Sequence, residues 1–246
     1  MKSLAQALRF FTTHFTPLVL LCLLYTLPDY LIKAYLSAAY PKLTQEAEVK
    51  AALFILCIPL LFAPLRQAAQ IYLMYAKRSG KSWSVAGALW VGLLFWPRLF
   101  LVNLVRLILI VALFLIVQRF SGLVGDSAVA RFLLLLALIF GIVYIIVRFA
   151  YFDFLIVLER QTAFKAIKMS LQLTSNNARE LLSSLLPISI FFVLMQSSAT
   201  DVSDRSVASV MDLLFDTLQL SLVQAIFFTY FWNIRYESTT LRVVNS

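Results

Sequence analysis

The chain has 246 residues, of which 62% are hydrophobic and only 13% are charged. This composition leaves too few polar side chains to cover a soluble fold, so lipid is expected to surround much of the protein. The net charge of +9 therefore indicates membrane topology and contact with anionic lipid, and it gives little support to nucleic-acid binding.

Six apolar stretches predict six membrane-spanning helices. A spanning helix needs about 20 apolar residues, and a chain in lipid must satisfy its own backbone hydrogen bonds. Strands of a closed barrel would be about half as long and would alternate between apolar and polar residues, which these stretches do not. The predicted spans are 15–35, 52–76, 99–117, 132–158, 181–196 and 213–234.

Lysine and arginine residues alternate between dense and sparse in the segments that connect the spans. They are concentrated at the amino terminus, in the second and fourth loops and in the tail, and the other three loops hold few. Because basic loops stay in the cytoplasm, both termini are predicted to be cytoplasmic. A cleavable signal peptide over 1–27 is the alternative to a retained first span. Asp29 and Lys33, one helical turn apart, favour the retained span.

Three of the four predicted cytoplasmic segments also contain a short stretch typical of an interfacial elbow helix. These stretches lie at 3–8, 82–86 and 162–166, and a helical hairpin follows each one. In the first, four apolar residues share one face, as an interfacial helix requires: Leu4, Leu8, Phe11 and Phe15.

The chain is thus predicted to form a single all-α membrane domain over 1–246, with six transmembrane helices and three amphipathic elbow helices. Two interpretations of the elbows stay open. One is a threefold repeat of elbow plus hairpin, with units 1–80, 81–160 and 161–246. The other is that interfacial helices look alike without any repeat.

One segment resembles a known family. It comprises 147–159 (VRFAYFDFLIVLE), followed by 163–166, Ser170, Leu173 with Thr174, and the pair Asn176 and Asn177. The segment is similar to the one that joins the late spans of YciC-like bacterial inner-membrane proteins, and to the membrane domain of some glycerophosphodiester phosphodiesterases. The resemblance implies a multi-pass protein of the bacterial inner membrane with an envelope-related role, and it supplies no activity.

Three arginines inside the predicted spans need an explanation, because a charge there costs about 2.5–3.5 kcal/mol. Counted at about 1.5 Å per residue, Arg66 lies ~21 Å and Arg148 ~24 Å from the outer boundary, and Arg106 lies ~10 Å from the inner one. All three therefore fall in the cytoplasmic half. They could share a lipid phosphate or another anion, which suits the planar guanidinium group. The alternative is that each reaches the headgroups or bonds to a neighbouring helix.

Polar residues in the spans form a second set of candidates. They could hydrogen-bond to a bound anion, join helices or line a solvated path. Asp153 is expected nearer the inner surface than Arg148, whereas Asp216 is expected near the outer end of the sixth span. The full set is Gln67, Gln70, Asn103, Asp153, Asp216, Gln219 and Gln224.

The chain offers little that an enzyme active site requires. His14 is the only histidine, so a histidine pair for metal binding or proton relay is excluded. The sequence has no glycine-rich phosphate loop and no Gly-x-Ser-x-Gly elbow. Asp201, Asp204 and Asp212 do not have the spacing of a calcium loop. We therefore expect no enzymatic activity, no metal site and no cofactor.

Three functions fit these features. The first is a non-enzymatic protein that handles or senses an anionic lipid or another amphiphile. The second is a small transporter with a polar central site and helices broken at prolines, such as Pro28, Pro59, Pro64 and Pro187. The third is a scaffold subunit of a membrane complex. Membrane lipids, anionic phospholipid in particular, are the expected partners, with a homo-oligomer or a complex partner left open.

Overall fold

The computed structural model describes residues 2–39, 45–123, 128–199 and 205–237. These residues form helices and turns, with no strand among them. The helices are α1 (Lys2–Thr13), α2 (Phe15–Ala39), α3 (Gln45–Arg78), α4 (Val85–Leu123), α5 (Ala128–Arg148), α6 (Phe152–Val157), α7 (Ala163–Ala199) and α8 (Arg205–Trp232), and a π-helical segment, Asn233–Glu237, follows α8. The predicted all-α class is confirmed.

Four stretches of the described helices are long and apolar enough to cross a membrane. They are Phe15–Ile32, Val85–Phe120, Leu133–Val157 and Met211–Tyr236. The second and fifth predicted spans are helical, within α3 and α7, but they are not among the four. Both helices carry many polar residues in their described parts, which lowers their mean hydropathy. Six spans therefore remain a prediction.

The six long helices pack as a closed ring. Going round it, α2 contacts α3, α3 contacts α4, α4 contacts α5, α5 contacts α7, α7 contacts α8, and α8 returns to α2. The short helix α6 packs against α3, α4 and α7, and all six of its residues are buried. It therefore fills the ring at one end. We call this the basic end, because the turns at Lys77 to Lys81 and at Glu159 to Gln161 lie beside it.

The main hydrophobic core lies at the basic end. It joins α1, the start of α4 and the ends of α3, α5 and α8 around α6. In contrast, the middle of α4 and of α5 expose large apolar side chains, including Ile108, Phe114, Leu115, Leu133 and Phe140. An outward-facing apolar surface of this kind is what contact with lipid requires.

Only the first predicted elbow is a helix separate from its span. The helix α1 ends at Thr13, and α2 begins at Phe15. Pro17 explains the break, because it has no N–H to donate to the carbonyl of Thr13, yet fits the first turn of α2. The elbows expected at 82–86 and 162–166 run directly into α4 and α7, which are 39 and 37 residues long. The threefold repeat is therefore not confirmed.

The helix α1 packs part of its apolar face against α8. Ala7, Phe10 and Phe11 are buried, and Phe10 contacts Phe228 of α8 with 5.6 Å between ring centroids. Leu8, which belongs to the predicted apolar face, is 40% exposed. Part of the apolar surface of α1 therefore packs against α8, and another part faces outward.

The predicted span 132–158 is not one continuous helix. The structure divides it into α5 and α6 at residues 149–151, which form a turn. By contrast, α2 continues through Pro28, α3 through Pro59 and Pro64, and α7 through Pro187. The bundle is therefore broken at a position without proline, and the prolines suggested as breaks lie within helices.

Candidate functional site

Arg66, Arg106 and Asp153 lie together inside the basic end of the ring. Arg66 is on α3, Arg106 on α4 and Asp153 on α6, so three different elements contribute one charge each. The carboxylate is only 5% exposed, and it lies within electrostatic range of both guanidinium groups, with Arg106 exerting the larger effect. One of its oxygens, Oδ1, has no hydrogen-bond partner among the described residues. Two positive charges thus face one incompletely bonded negative charge.

A chain of amides holds Arg106 in place. Its Nη2 donates a hydrogen bond to Oδ1 of Asn103, one turn earlier on α4, and Nδ2 of Asn103 donates to Oε1 of Gln67 over 2.9 Å. Asn103 and Gln67 are both buried. The Arg106 guanidinium also lies 5.4 Å from the ring centroid of Phe152. We call Arg66, Gln67, Asn103, Arg106 and Asp153 the interior polar cluster.

The close approach of α3 and α4 positions this cluster. A Cβ atom on Gly92 of α4 would lie 3.1 Å from the carbonyl oxygen of Leu65, which precedes Arg66. Nε1 of Trp96 donates to the carbonyl of Leu61 over 2.8 Å. Arg66 itself reaches α2, where its Nη1 lies 3.8 Å from Sγ of Cys22. Cys22 is buried and free.

Arg148 occupies a different place. Its guanidinium lies 5.7 Å from the ring centroid of Tyr144 on the same helix, and its buried Nε has no hydrogen-bond partner. Within the described ranges, no hydrogen bond or ion pair joins it to Arg66 or Arg106. The structure therefore brings two of the three predicted arginines together and leaves the third at the end of α5.

The remaining polar candidates divide between interior and surface. Nε2 of Gln70 donates to Oγ of Ser221 on α8 over 3.4 Å, and Gln224 is buried one turn further along α8. Each also has a buried atom without a partner, Oε1 of Gln70 and Nε2 of Gln224. Asp216 is exposed, and Gln219 is partly exposed. Gln70 and Gln224 thus extend the polar interior, whereas Asp216 does not.

The break between α5 and α6 is stabilised by two side chains of α7 that the sequence analysis did not single out as site residues. Ser170 donates to the carbonyl of Arg148 over 3.0 Å and accepts from the amide of Tyr151 over 3.2 Å. Thr174 lies beside it and bonds to the carbonyl of Ser170. Both residues lie in the segment for which the sequence analysis suggested a family resemblance, so their spacing was an available signal.

The comparisons add no identification, because no family model, no curated protein and no solved structure matches this chain. The cluster must therefore be interpreted from its chemistry. In the described part of the chain, no group of three or more His, Cys, Asp or Glu residues is placed to hold a metal ion. What the cluster offers is an excess of one positive charge, carried by two partly buried arginines, beside two buried neutral amides.

Proposed function

We propose that the protein is a non-enzymatic, multi-pass protein of the bacterial inner membrane, with both termini in the cytoplasm, that binds an anionic lipid or a similar amphiphile. The anion site consists of Arg66 and Arg106, with Gln67 and Asn103 as neutral hydrogen-bonding groups. The resemblance to YciC-like proteins supports the location and the envelope-related role. Arg148 is not part of this anion site, and we propose it only as a separate contact with lipid.

The observation that carries the proposal is the charge imbalance of the interior polar cluster. Arg66 and Arg106 are partly buried, and charges held away from water are costly unless they are compensated. Asp153 compensates one guanidinium, and the second would be compensated by a phosphate or carboxylate of a ligand. Because guanidinium groups form paired hydrogen bonds with such anions, Arg66 and Arg106 have suitable chemistry to hold one.

Native mass spectrometry of the detergent-purified protein tests this directly. An Arg66→Gln/Arg106→Gln variant should lose a stoichiometric anionic phospholipid that the wild type retains. Lys165→Gln/Lys168→Gln is the matched control, since it removes the same charge from two exposed residues of α7. A single Arg148→Gln variant should retain the lipid. Equal lipid retention by all four proteins would remove the anion site and favour a purely structural role for the arginines.

A second candidate function, a transporter, is favoured by the broken helix. Discontinuous helices beside a polar centre are typical of transporters, whose sites use the backbone and side chains near the break. Here the break precedes Asp153, whose Oδ1 lacks a partner. Reconstitution with a pH-sensitive dye inside the vesicles distinguishes the two functions. A lipid-binding or scaffold protein should leave the internal pH unchanged, and a proton-coupled transporter should not.

A further inference from the structure

A second basic site lies outside the interior polar cluster, between α1 and the end of α3. It is a pocket of about 310 Å³. Two arginines and the only histidine line it, and none of its described lining residues is acidic. The residues are Gln6, Arg9, Phe10, Thr13, His14 and Arg78. We call it the α1–α3 pocket.

Because α1 packs its apolar side against α8, its polar face lines this pocket. Gln6, Arg9 and Thr13 are spaced three and four residues apart and therefore share one face of the helix. The amide of Gln6 is fixed because its Oε1 accepts a hydrogen bond from Nδ2 of Asn233 over 2.8 Å. Thr13 donates to the carbonyl of Arg9 over 2.8 Å. The pocket is thus built by defined contacts at both ends of its α1 wall.

An apolar groove of about 590 Å³ lies beside the pocket along α2. Its walls are the aliphatic face of α2 and the segment that opens α4, with one lysine. The residues are Thr16, Pro17, Leu20, Leu21, Leu24, Lys77, Trp83 and Val85. Lys77 lies over the Trp83 ring, with Nζ 5.6 Å from its centroid. We call this the α2 groove.

The pocket and the groove are adjacent in the chain on both walls. His14 of the pocket lies two residues before Thr16 of the groove, and Lys77 of the groove is followed directly by Arg78 of the pocket. From Thr16 to Leu24 the groove follows about 12 Å of helix. Positive charge therefore lies at one end of an elongated apolar surface. That apolar surface runs along α2, which contains the candidate membrane span Phe15–Ile32.

We propose that this combined surface binds one anionic membrane phospholipid. Its phosphate lies in the α1–α3 pocket against Arg9 and Arg78, and an acyl chain lies in the α2 groove. Arginine is suited to phosphate, and tryptophan is enriched at the level of lipid headgroups. A soluble phosphate compound would use the pocket alone and leave the groove without a function. This site uses neither Arg66 nor Arg106. It would therefore stand even if the anion site of the proposed function were disproved.

The test is native mass spectrometry of protein taken from nanodiscs of phosphatidylcholine that contain a minor fraction of phosphatidylglycerol. In the Arg9→Gln/Arg78→Gln variant we expect the preference for phosphatidylglycerol to fall about 25-fold, because each basic residue near an anionic surface contributes about fivefold. Lys165→Gln/Lys168→Gln removes the same charge elsewhere and should keep the preference. The Arg66→Gln/Arg106→Gln variant should also keep it at this site.

A groove variant tests the acyl-chain half of the proposal without changing the charge. Leu20→Trp fills the groove from an exposed position of α2 and should reduce retention of phosphatidylglycerol while the protein stays folded. Competition by glycerol 3-phosphate at the same concentration as the lipid would show that a soluble phosphate suffices, and would overturn the proposal. Equal loss in the Arg9/Arg78 variant and in the lysine control would overturn it as well.

Discussion

The hydroxyl group of Ser170 donates a hydrogen bond to the backbone carbonyl of Arg148 over 3.0 Å. The same oxygen accepts from the amide of Tyr151 over 3.2 Å. One side chain of α7 therefore satisfies a carbonyl at the end of α5 and an amide at the start of α6. Since helix ends leave such groups without partners, and lipid offers none, Ser170 makes the break between the two helices tolerable.

Replacing Ser170 should consequently destabilise the protein. Ser170→Ala removes both bonds and leaves buried backbone groups unsatisfied, which costs about 1–3 kcal/mol. Thermal unfolding in detergent should show a midpoint several degrees lower. Ser183→Ala is the control, because Ser183 is exposed on the same helix and bonds only to the carbonyl of Glu180. If the two variants unfolded at the same temperature, Ser170 would have no stabilising role.

The helices were predictable from the sequence, and the break was not. A long apolar stretch that matches the thickness of the membrane predicts a spanning helix, so the helices α2, α4, α5 and α8 could be predicted from the sequence. Residues 147–157 contain neither glycine nor proline, the usual markers of a helix break. Nothing local therefore marks the turn at 149–151, and it is stabilised by Ser170, about twenty residues later. Such a tertiary contact has no periodicity for a sequence pattern to reveal.

The interior polar cluster was only partly predictable, because one of its members is placed by tertiary packing. The spacing of Asn103 and Arg106 places both on one face of α4, and counting along the spans places Arg66 at a similar depth. The position of Asp153 depends on α6, which begins after the break and packs against α3 and α4. Its proximity to both arginines therefore could not be derived from a continuous fourth span.

Asp153 and Arg106 should be energetically coupled, and their single variants should differ. Asp153→Asn leaves two guanidinium groups facing each other without a carboxylate, whereas Arg106→Gln leaves one positive and one negative charge. We therefore expect the first to destabilise the protein more than the second. The double variant should cost less than the sum of the two, with a coupling energy of about 0.5–3 kcal/mol.

Unfolding midpoints of the two single variants and of the double variant give this coupling. Asp212→Asn is the matched control, because Asp212 lies near the opposite end of the bundle from the basic end. It should combine additively with Arg106→Gln. Additive behaviour of Asp153→Asn with Arg106→Gln would contradict the electrostatic contact between the two side chains.

Removal of the hydroxyl group should change the stability of the protein differently at two buried tyrosines. The hydroxyl of Tyr230 lies 2.6 Å from Oγ of Ser184, whereas that of Tyr151 has no hydrogen-bond partner in the part of the chain that the structure describes. Tyr230→Phe should therefore cost about 1 kcal/mol, and Tyr151→Phe should be neutral or slightly stabilising. Thermal unfolding of the two variants side by side measures the difference. A larger loss in Tyr151→Phe would mean that its hydroxyl group binds a partner in the membrane.

The protonation of His14 should depend on Lys77. Burial, and to a smaller extent the positive charge of Lys77, lowers the pKa of His14 from its usual value of 6.5. Below that value the unfolded chain takes up the proton more readily than the folded protein. Stability is therefore expected to fall as the pH drops through 6.5 and on through the folded pKa, with no effect of His14 above it.

Lys77→Gln removes the smaller cause, so the pKa of His14 should rise while burial keeps it below the usual value. Because His14 is the only histidine, selective isotope labelling of histidine gives one NMR signal whose titration reports this pKa directly. Lys81→Gln is the control, since Lys81 lies over the ring of Tyr75 instead. A titration curve that Lys77→Gln leaves unchanged would place Lys77 outside the electrostatic range of the α1–α3 pocket.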